Sequence, residues 1–570
     1  MACTGLSCGD PRTDETTGAG GAGGNGGSGA GPTTSTGGDG GTGGSTEVGG
    51  AGGASCAGTT EVWDLVELYA MEASDAKPAV DMAIADAKVW LDTCGPDSAL
   101  VLAFPAGTWE FKHNGGPAIV IEDVVTGRLT LRGDSAETTS LVFRKFDEQG
   151  ISLQNAHAVT IERLHLTRHQ LYTSQGEVTE ILPDGLRFKV HEGFPDPAEL
   201  ASQENALNND RTLIKFRGPD LDPELAPKSV SYKLCEHDPV TCPAAIVGTA
   251  DPEVFEAIFQ PGQDIQLKPG DRVALKAKVG ANTLRAVDCN DFTMEDVRVT
   301  RSSGASIVVD GASNRTRIED VRIERSEPIN GRTPFFAGPG GGPQIEAETE
   351  GPIIRGCSIT GTTDDAIAVF SSNSTDATTL MSGAVIENNT VRDTQGRSIN
   401  ITQSRSGICR FNTLIRGHNP SIQLKNNQTA DMTNAAVLDW IIEDNTLIQP
   451  WTYPAIFITE EQSNTSSGLI DGVQIRHNTF QEASKLNPVI QIRHAASVEI
   501  AENIILSFSD ADDFADNEVP SPVPLVFVES ASAVVGADNA CVIGAPDRPP
   551  VFIGDEVADP TAITVTWPCE

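Results

Sequence analysis

Residues 351–370 read GPIIRGCSITGTTDDAIAVF. Within them IRGCSI, from Ile354, is one copy of a six-residue unit with apolar residues at both ends and a variable fourth place, here Cys357. Further copies are IERLHL from Ile161, MEDVRV from Met294, IEDVRI from Ile318, IENNTV from Ile386, CRFNTL from Cys409, IEDNTL from Ile442, IRHNTF from Ile475 and IAENII from Ile500. From Met294 onward the starts lie 24, 36, 32, 23, 33, 33 and 25 residues apart, the range of stacked repeat architectures. Apolar and polar residues alternate within each copy, the period of a half-buried strand. Short strands punctuated by Gly, Asn and Ser predict an all-β chain, a right-handed parallel β-helix whose core is a stack of inward side chains.

The fourth place reads Leu164, Val297, Val321 and Cys357, then Asn389, Asn412, Asn445, Asn478 and Asn503. Stacked asparagines can bond up and down a solenoid and satisfy backbone amides at a sharp bend. They are expected to be structural.

Working outward, residues 75–93 place Val80, Ile84, Ala87 and Leu91 on one helical face, with Pro78 in the first turn. ALVLAFPAGTWEF (99–111) and GRLTLRGDSAETTSLVFRK (127–145) follow. This helix, PAGTW strand and LRGD turn resemble the opening of the pectin-lyase-like β-helix proteins, and the resemblance implies a helix capping the solenoid's open N-terminal end. The repeat then lapses between residues 172 and 280, where LRFKV, RTLIKF, SVSYKL, DIQLK and DRVALKAK predict an inserted β-rich module. The expected organisation is a disordered Gly/Ser/Thr-rich linker (1–55), a cap with first coils (56–171), the module (172–280) and the main solenoid with its C-terminal cap (281–570).

The chain carries Asp+Glu 79 against Lys+Arg 40, a net charge of −39, which excludes nucleic acid as a natural partner and disfavours polyanionic glycans. No apolar run is long enough to span a membrane. The Gly-rich spacer behind Cys3 or Cys8 resembles the start of a surface lipoprotein, so a lipid anchor and an extracellular or cell-surface location are expected. The apolar region of a signal peptide is not read ahead of it, and loss through truncation or a late start is the expected reason. The alternative is an intracellular protein with a flexible tail. Eleven cysteines favour an oxidising compartment. Cys56 with Cys94, Cys235 with Cys242 and Cys541 with Cys569 are the candidate pairs. Cys289, Cys357 and Cys409 lie on or beside repeat strands and read as buried thiols.

Asp364 and Asp365 are the candidates for chemistry. Neighbouring carboxylates repel, and at a bend before an inward-packing strand (AIAVF) both can reach an outer cleft. A solvated turn or a calcium site is the alternative, and no other metal or cofactor is called for. The segment from Gly270 to Phe370 is similar to the catalytic coils of the parallel β-helix α-1,3-galactosidases and, more distantly, of the polygalacturonases. It carries PGDRVALKAK, FTMEDVRVTRSSGASIVVDGASNRTRIEDVRI, NGR at 330–332 and the TTDDAIAVF strand. The resemblance implies that the aspartate pair belongs to a catalytic centre completed by an aspartate from the preceding coil. That aspartate is missing. GGGPQIEAETE stands there instead, offering Gln344, Glu346 and Glu348. The polygalacturonase Gly-His-Gly and Arg-Ile-Lys signatures are missing too.

Glu346 or Glu348 is therefore the expected substitute partner of the aspartates. Rungs about 4.8 Å apart suit either the about 5–5.5 Å of retention or the about 6.5–9.5 Å of inversion, and inversion is expected, with one aspartate as acid and the other aspartate or a glutamate activating water. Arg332, Gln344, Arg397 and Lys425 are expected to bind substrate on the same face, with Arg416 and His418 as further candidates. Trp451 and Tyr453 are expected to stack on a sugar ring. His477 and His494 lie within strands and read as structural. The expected function is a glycoside hydrolase acting on a neutral oligo- or polysaccharide. A polysaccharide lyase and a non-catalytic glycan-binding or adhesin β-helix are the alternatives.

Overall fold

The computed structural model describes residues 56–568 apart from 113–114, 198–199, 201–212, 217–230, 234–244, 260–266, 277–280, 347, 372–379, 427–435, 451–452, 461–468, 509–522, 542–548, 555–556 and 558. The low-complexity leader with Cys3 and Cys8, the pair Cys235 and Cys242, most of DIQLK, Trp451 and Cys569 lie outside the described residues.

The chain winds into a parallel β-helix. Successive coils add strands to three long parallel ribbons, and Met381–Ser382, Ser404–Arg405, Ala436–Leu438 and Leu469–Asp471 form a short fourth one. In the first, Ile367–Phe370 pairs with Ile399–Thr402, then Ile422–Asn426, Ile456–Glu460 and Ile490–Ala501. In the second, Ile354, Ile386, Cys409, Ile442 and Ile475 stand in register, so the repeat's first residue always falls on the core side. In the third, Ile359, Val391, Leu414, Leu447 and Phe480 do the same. These stacks are almost wholly buried, and one-residue slips would turn every one of them to solvent. The register is therefore fixed by burial.

The bend between the second and third ribbons explains the variable fourth place. The residue before it adopts a left-handed backbone at Asp296, Asp320, Asn388, Asp444, His477, Glu502 and Asp538, which costs roughly 1–2 kcal/mol for a non-glycine residue. The asparagines offset that cost. Asn389, Asn412, Asn445 and Asn478 each send both backbone N–H and side-chain Nδ2 to the Oδ1 of the asparagine one coil on, at 2.9–3.0 Å. The series runs on through Asn503 to Asn539.

Helix Lys77–Cys94 buries Ala79, Val80, Ala83, Ile84, Ala87 and Leu91 in the same core as the first strands, Leu100, Leu102, Leu129 and Leu131. A disulfide joins Cys56 to Cys94. The solenoid is then interrupted. Seven antiparallel strands between Thr173 and Lys276 form a separate sheet in the order Ser231–Lys233, Leu213–Phe216, Arg272–Lys276, Thr173–Leu182, Gly185–Val190, Val254–Ile258, Ala245–Gly248. Its own core includes Tyr172, Leu186, Phe188, Phe255 and Val273. The coil before the interruption resumes directly after it: Ile151–Gln154 pairs with Leu284–Val287, and His165–Arg168 with Arg298–Thr300. The inserted sheet leans on the solenoid loop at 329–336. Gln175 bonds the Thr333 carbonyl and the Phe335 N–H, at 3.1 and 2.8 Å, and Ala274 packs with Phe335 and Phe336. Among the described residues no helix is long and apolar enough to cross a membrane.

Candidate active site

At the end of the third ribbon away from the asparagines, the chain turns back to the first ribbon. Asp364 and Asp365 occupy this bend. The backbone is pinned there by hydroxyls from two coils: Thr362 and Thr394 donate to the Asp364 carbonyl at 3.0 and 3.1 Å. Glycines press on both sides. A Cβ on Gly396, one coil on, would lie 2.4 Å from the Asp364 carbonyl carbon and the Asp365 nitrogen. One on Gly341, one coil back, would lie 2.5 Å from the Asp365 carbonyl oxygen. Only glycine lets the coils close at this point.

The two acids are held differently. Asp364 is half-buried, and its Oδ1 accepts from the Asp365 N–H at 2.9 Å. The Asp365 side chain is 9% exposed. Its Oδ1 accepts from the Arg397 backbone N–H at 2.8 Å and faces the Arg397 guanidinium at 3.5 Å. Its Oδ2 accepts from Asn400 Nδ2 at 2.8 Å, and Thr402 orients that amide by donating to Asn400 Oδ1. Beside the bend Arg325, Asp393 and Arg416 form a buried triad. Arg416 Nε lies 2.6 Å and Arg325 Nη2 3.3 Å from the Asp393 carboxylate. Burial pushes that carboxyl up, but the two guanidiniums outweigh it and hold it below the usual range. Polar groups inside the bend go unmatched: both amide atoms of Gln395 and the hydroxyls of Thr363, Ser398 and Ser421 are buried without a protein partner.

The structure places the sequence candidates unevenly. Arg397 stands at the acids. Gln344 is one coil back on the same ribbon, paired with Ala368. Lys425 is buried and follows Thr402 in register, on the outward row that also carries Asn400 and Gln423. Tyr453 is 40% exposed at the corresponding bend, further along the solenoid. Arg332 sits on an exposed turn beside the inserted sheet, where its charge acts on His191. Arg416 is committed to the Asp393 triad.

The two glutamates are a correction. Glu346 pairs with Phe370, not with the bend, which puts it about 16 Å along the strand from Asp365 at ~3.3 Å per residue. Glu348 lies beyond it, buried, with Oε2 accepting from the Thr316 N–H at 3.2 Å. Burial pushes its carboxyl up to about 7. What faces the aspartates from the preceding coil is the glycine run Gly340–Gly342. Asn400, Thr362 and Thr394 escaped the sequence reading. The signal for Asn400 was available: it is the outward residue of the strand following QGR, one coil on from the acids.

Residues 276–437 match the model of a right-handed β-helix region, which gives the solenoid its hand. No curated protein matches by sequence. Solved structures with similar folds include the catalytic unit of an α-1,3-glucanase of family GH87 from Streptomyces thermodiastaticus (TM-score 0.43, 11% identity, covering 88% of this chain and 68% of that one). A family 28 exopolygalacturonase from Yersinia enterocolitica gives a TM-score of 0.46 at 9% identity, covering 89% and 78%. The A-module of the mannuronan C-5 epimerase AlgE4 from Azotobacter vinelandii gives 0.41 at 12%, covering 90% and 97%.

Proposed function

We propose that this right-handed parallel β-helix is a glycoside hydrolase acting on a neutral glycan, with Asp364 and Asp365 as its acid and base. The observation that carries this reading is the acid bend itself: one half-exposed carboxylate beside a second that is aimed by Arg397 and Asn400. Asp364, the more accessible, protonates the leaving oxygen. Asp365, fixed by three donors, takes the proton of the attacking water. The Gly270–Phe370 resemblance supports the same centre. The sugar chain lies along the solenoid axis, from Asp364 past Arg397 toward Tyr453, with successive rungs about 4.8 Å apart. The reaction is inverting, and this holds only where the two carboxyls reach across the bond at about 6.5–9.5 Å.

The test is digestion of a panel of neutral and acidic glycans, α-galactosides included, by wild type, Asp364→Asn and Asp365→Asn. Reducing sugar from wild type alone, with the opposite anomer appearing first by proton NMR, is the expected result. An ultraviolet-absorbing unsaturated product would replace the reading with a lyase. A second reading rests on the near-complete hydrogen bonding of Asp365, which suits a structural carboxylate in a glycan-binding protein. Glycan retention by both variants, with no product from any protein, would favour it.

A further inference from the structure

Where the inserted sheet meets the solenoid there is a cavity of about 370 Å³, within the range of pockets that hold small molecules. It lies apart from the acid bend, between the segment leading into the insertion, residues Gly193–Asp196 with Leu200, and the 329 turn. Leu171, Phe194, Leu200 and Ile329 make its apolar walls, and Asp196 and Arg301 bring charge. Leu171, Phe194 and Leu200 are buried.

Arg301 distinguishes this cavity from an ordinary crevice. Burial, and after it the charges of Arg298, Arg301 and Arg322, drive the His165 imidazole's pKa down to about 4. Arg298 is neutralised by Glu324 and Glu327, and Arg322 by Glu137. Among the described residues Arg301 has no such acid. Its guanidinium makes one bond, from Nη1 to the His169 carbonyl at 3.2 Å. Burial alone pulls its pKa down, as expected of a cation with nothing opposite it. A half-buried guanidinium keeps donors in a fork that matches a carboxylate. The left-handed backbone at Arg301, φ 53°, fixes where that fork starts.

We propose that this cavity binds a monosaccharide-sized ligand carrying one carboxylate, an acidic sugar, with the carboxylate on Arg301, the ring's C–H face on Phe194 and Leu171, and ring hydroxyls donating to Asp196. The overall charge of −39 repels long polyanions but leaves a single charge to the local guanidinium. This site is independent of the hydrolase reading.

The experiment is isothermal titration of the full chain with galacturonate and with galactose. Galacturonate binds at least about tenfold tighter, the worth of one charge-assisted contact. In Arg301→Gln the preference falls to about one. Ile329→Trp, which fills the cavity from a half-exposed turn, loses both sugars, and thermal melts verify that each variant is folded. Asp364→Asn keeps galacturonate binding unchanged. Equal affinities in wild type overturn the proposal, as does a preference that survives Arg301→Gln or binding that survives Ile329→Trp. Loss of galacturonate binding in Asp364→Asn would move the ligand to the acid bend and likewise end it.

Discussion

The asparagine bend and the aspartate bend stand at the two ends of the third ribbon and are built by opposite means. At the first, one residue type recurs and each interior amide bonds both its neighbours and a carbonyl. At the second the residues change from coil to coil, Gly340–Gly342, then Thr362–Asp365, then Thr394–Arg397, and a threonine at the head of the bend is all that the last two share. Charges are buried there in pairs, and several amides and hydroxyls have no protein partner. The difference teaches where each demand of the fold is met. A solenoid needs one edge that repeats to hold its rungs in phase. Once that edge is secured, the bend at the other end of the ribbon is free to vary from coil to coil and to hold groups that stability alone would not select.

The sharpest way to break this comparison is to neutralise one edge and watch the other property. Asp364→Asn and Asp365→Asn each lower kcat by about 10²–10⁴-fold while the urea midpoint stays close to wild type; a collapse of the midpoint instead would make the aspartates scaffold. The converse change is Asn445→Ala. It removes the Nδ2 bonds to the Cys409 carbonyl and Asn478, and orphans the Asn412 amides. Urea unfolding should report a loss of about 3–5 kcal/mol, with kcat of the surviving folded fraction unchanged.

Glu348 sharpens the comparison, being an unsatisfied buried group at neither bend. Its Oε1 has no protein partner, and its folded pKa of about 7 stands above the ordinary 4.5. Between those values the folded state holds a proton that the unfolded state releases, so its contribution to stability is present below pH 4.5 and lost as pH rises to 7. Glu348→Gln should flatten that slope and raise stability at pH 8 by about 2–3 kcal/mol, measured by urea unfolding at pH 5 and pH 8. The smallest effect belongs to Tyr453→Ala. At 40% exposure the ring supports stability little, so the change should appear as a rise in KM of about 2–10-fold, the worth of one aromatic contact.

The solenoid was legible because its signal is local and repeated. An apolar residue five places from another, with asparagine between, reports burial and bend at once. The reading failed where the repeat bends its own rule. Asn539 continues the asparagine series, yet Gly536 stands where an apolar residue marks the other copies, because any Cβ there would lie 2.2 Å from the Ile500 carbonyl oxygen. The acids were legible as a pair before an inward strand, but their partners were not. Choosing Glu346 and Glu348 required knowing which residues of the preceding coil occupy the bend, and spacing between repeats does not tell loop from turn. The packing answer is the glycine run Gly340–Gly342 ahead of the glutamates. Asn400 and Thr394 act from the next coil, and only the register reveals that they meet Asp365 and the Asp364 carbonyl.

The interruption of the solenoid has a consequence for the order in which the molecule is made. Thr167 bonds Thr300 across 133 residues of chain, so the coil at 151–168 leaves the ribosome with its next rung still unwritten. At about 5–20 residues per second, its open edge waits on the order of ten seconds, the interval in which the inserted sheet emerges. An autonomous core in that sheet lets it close while the edge stands waiting, so the longest detour in the chain becomes the step that must finish before winding resumes.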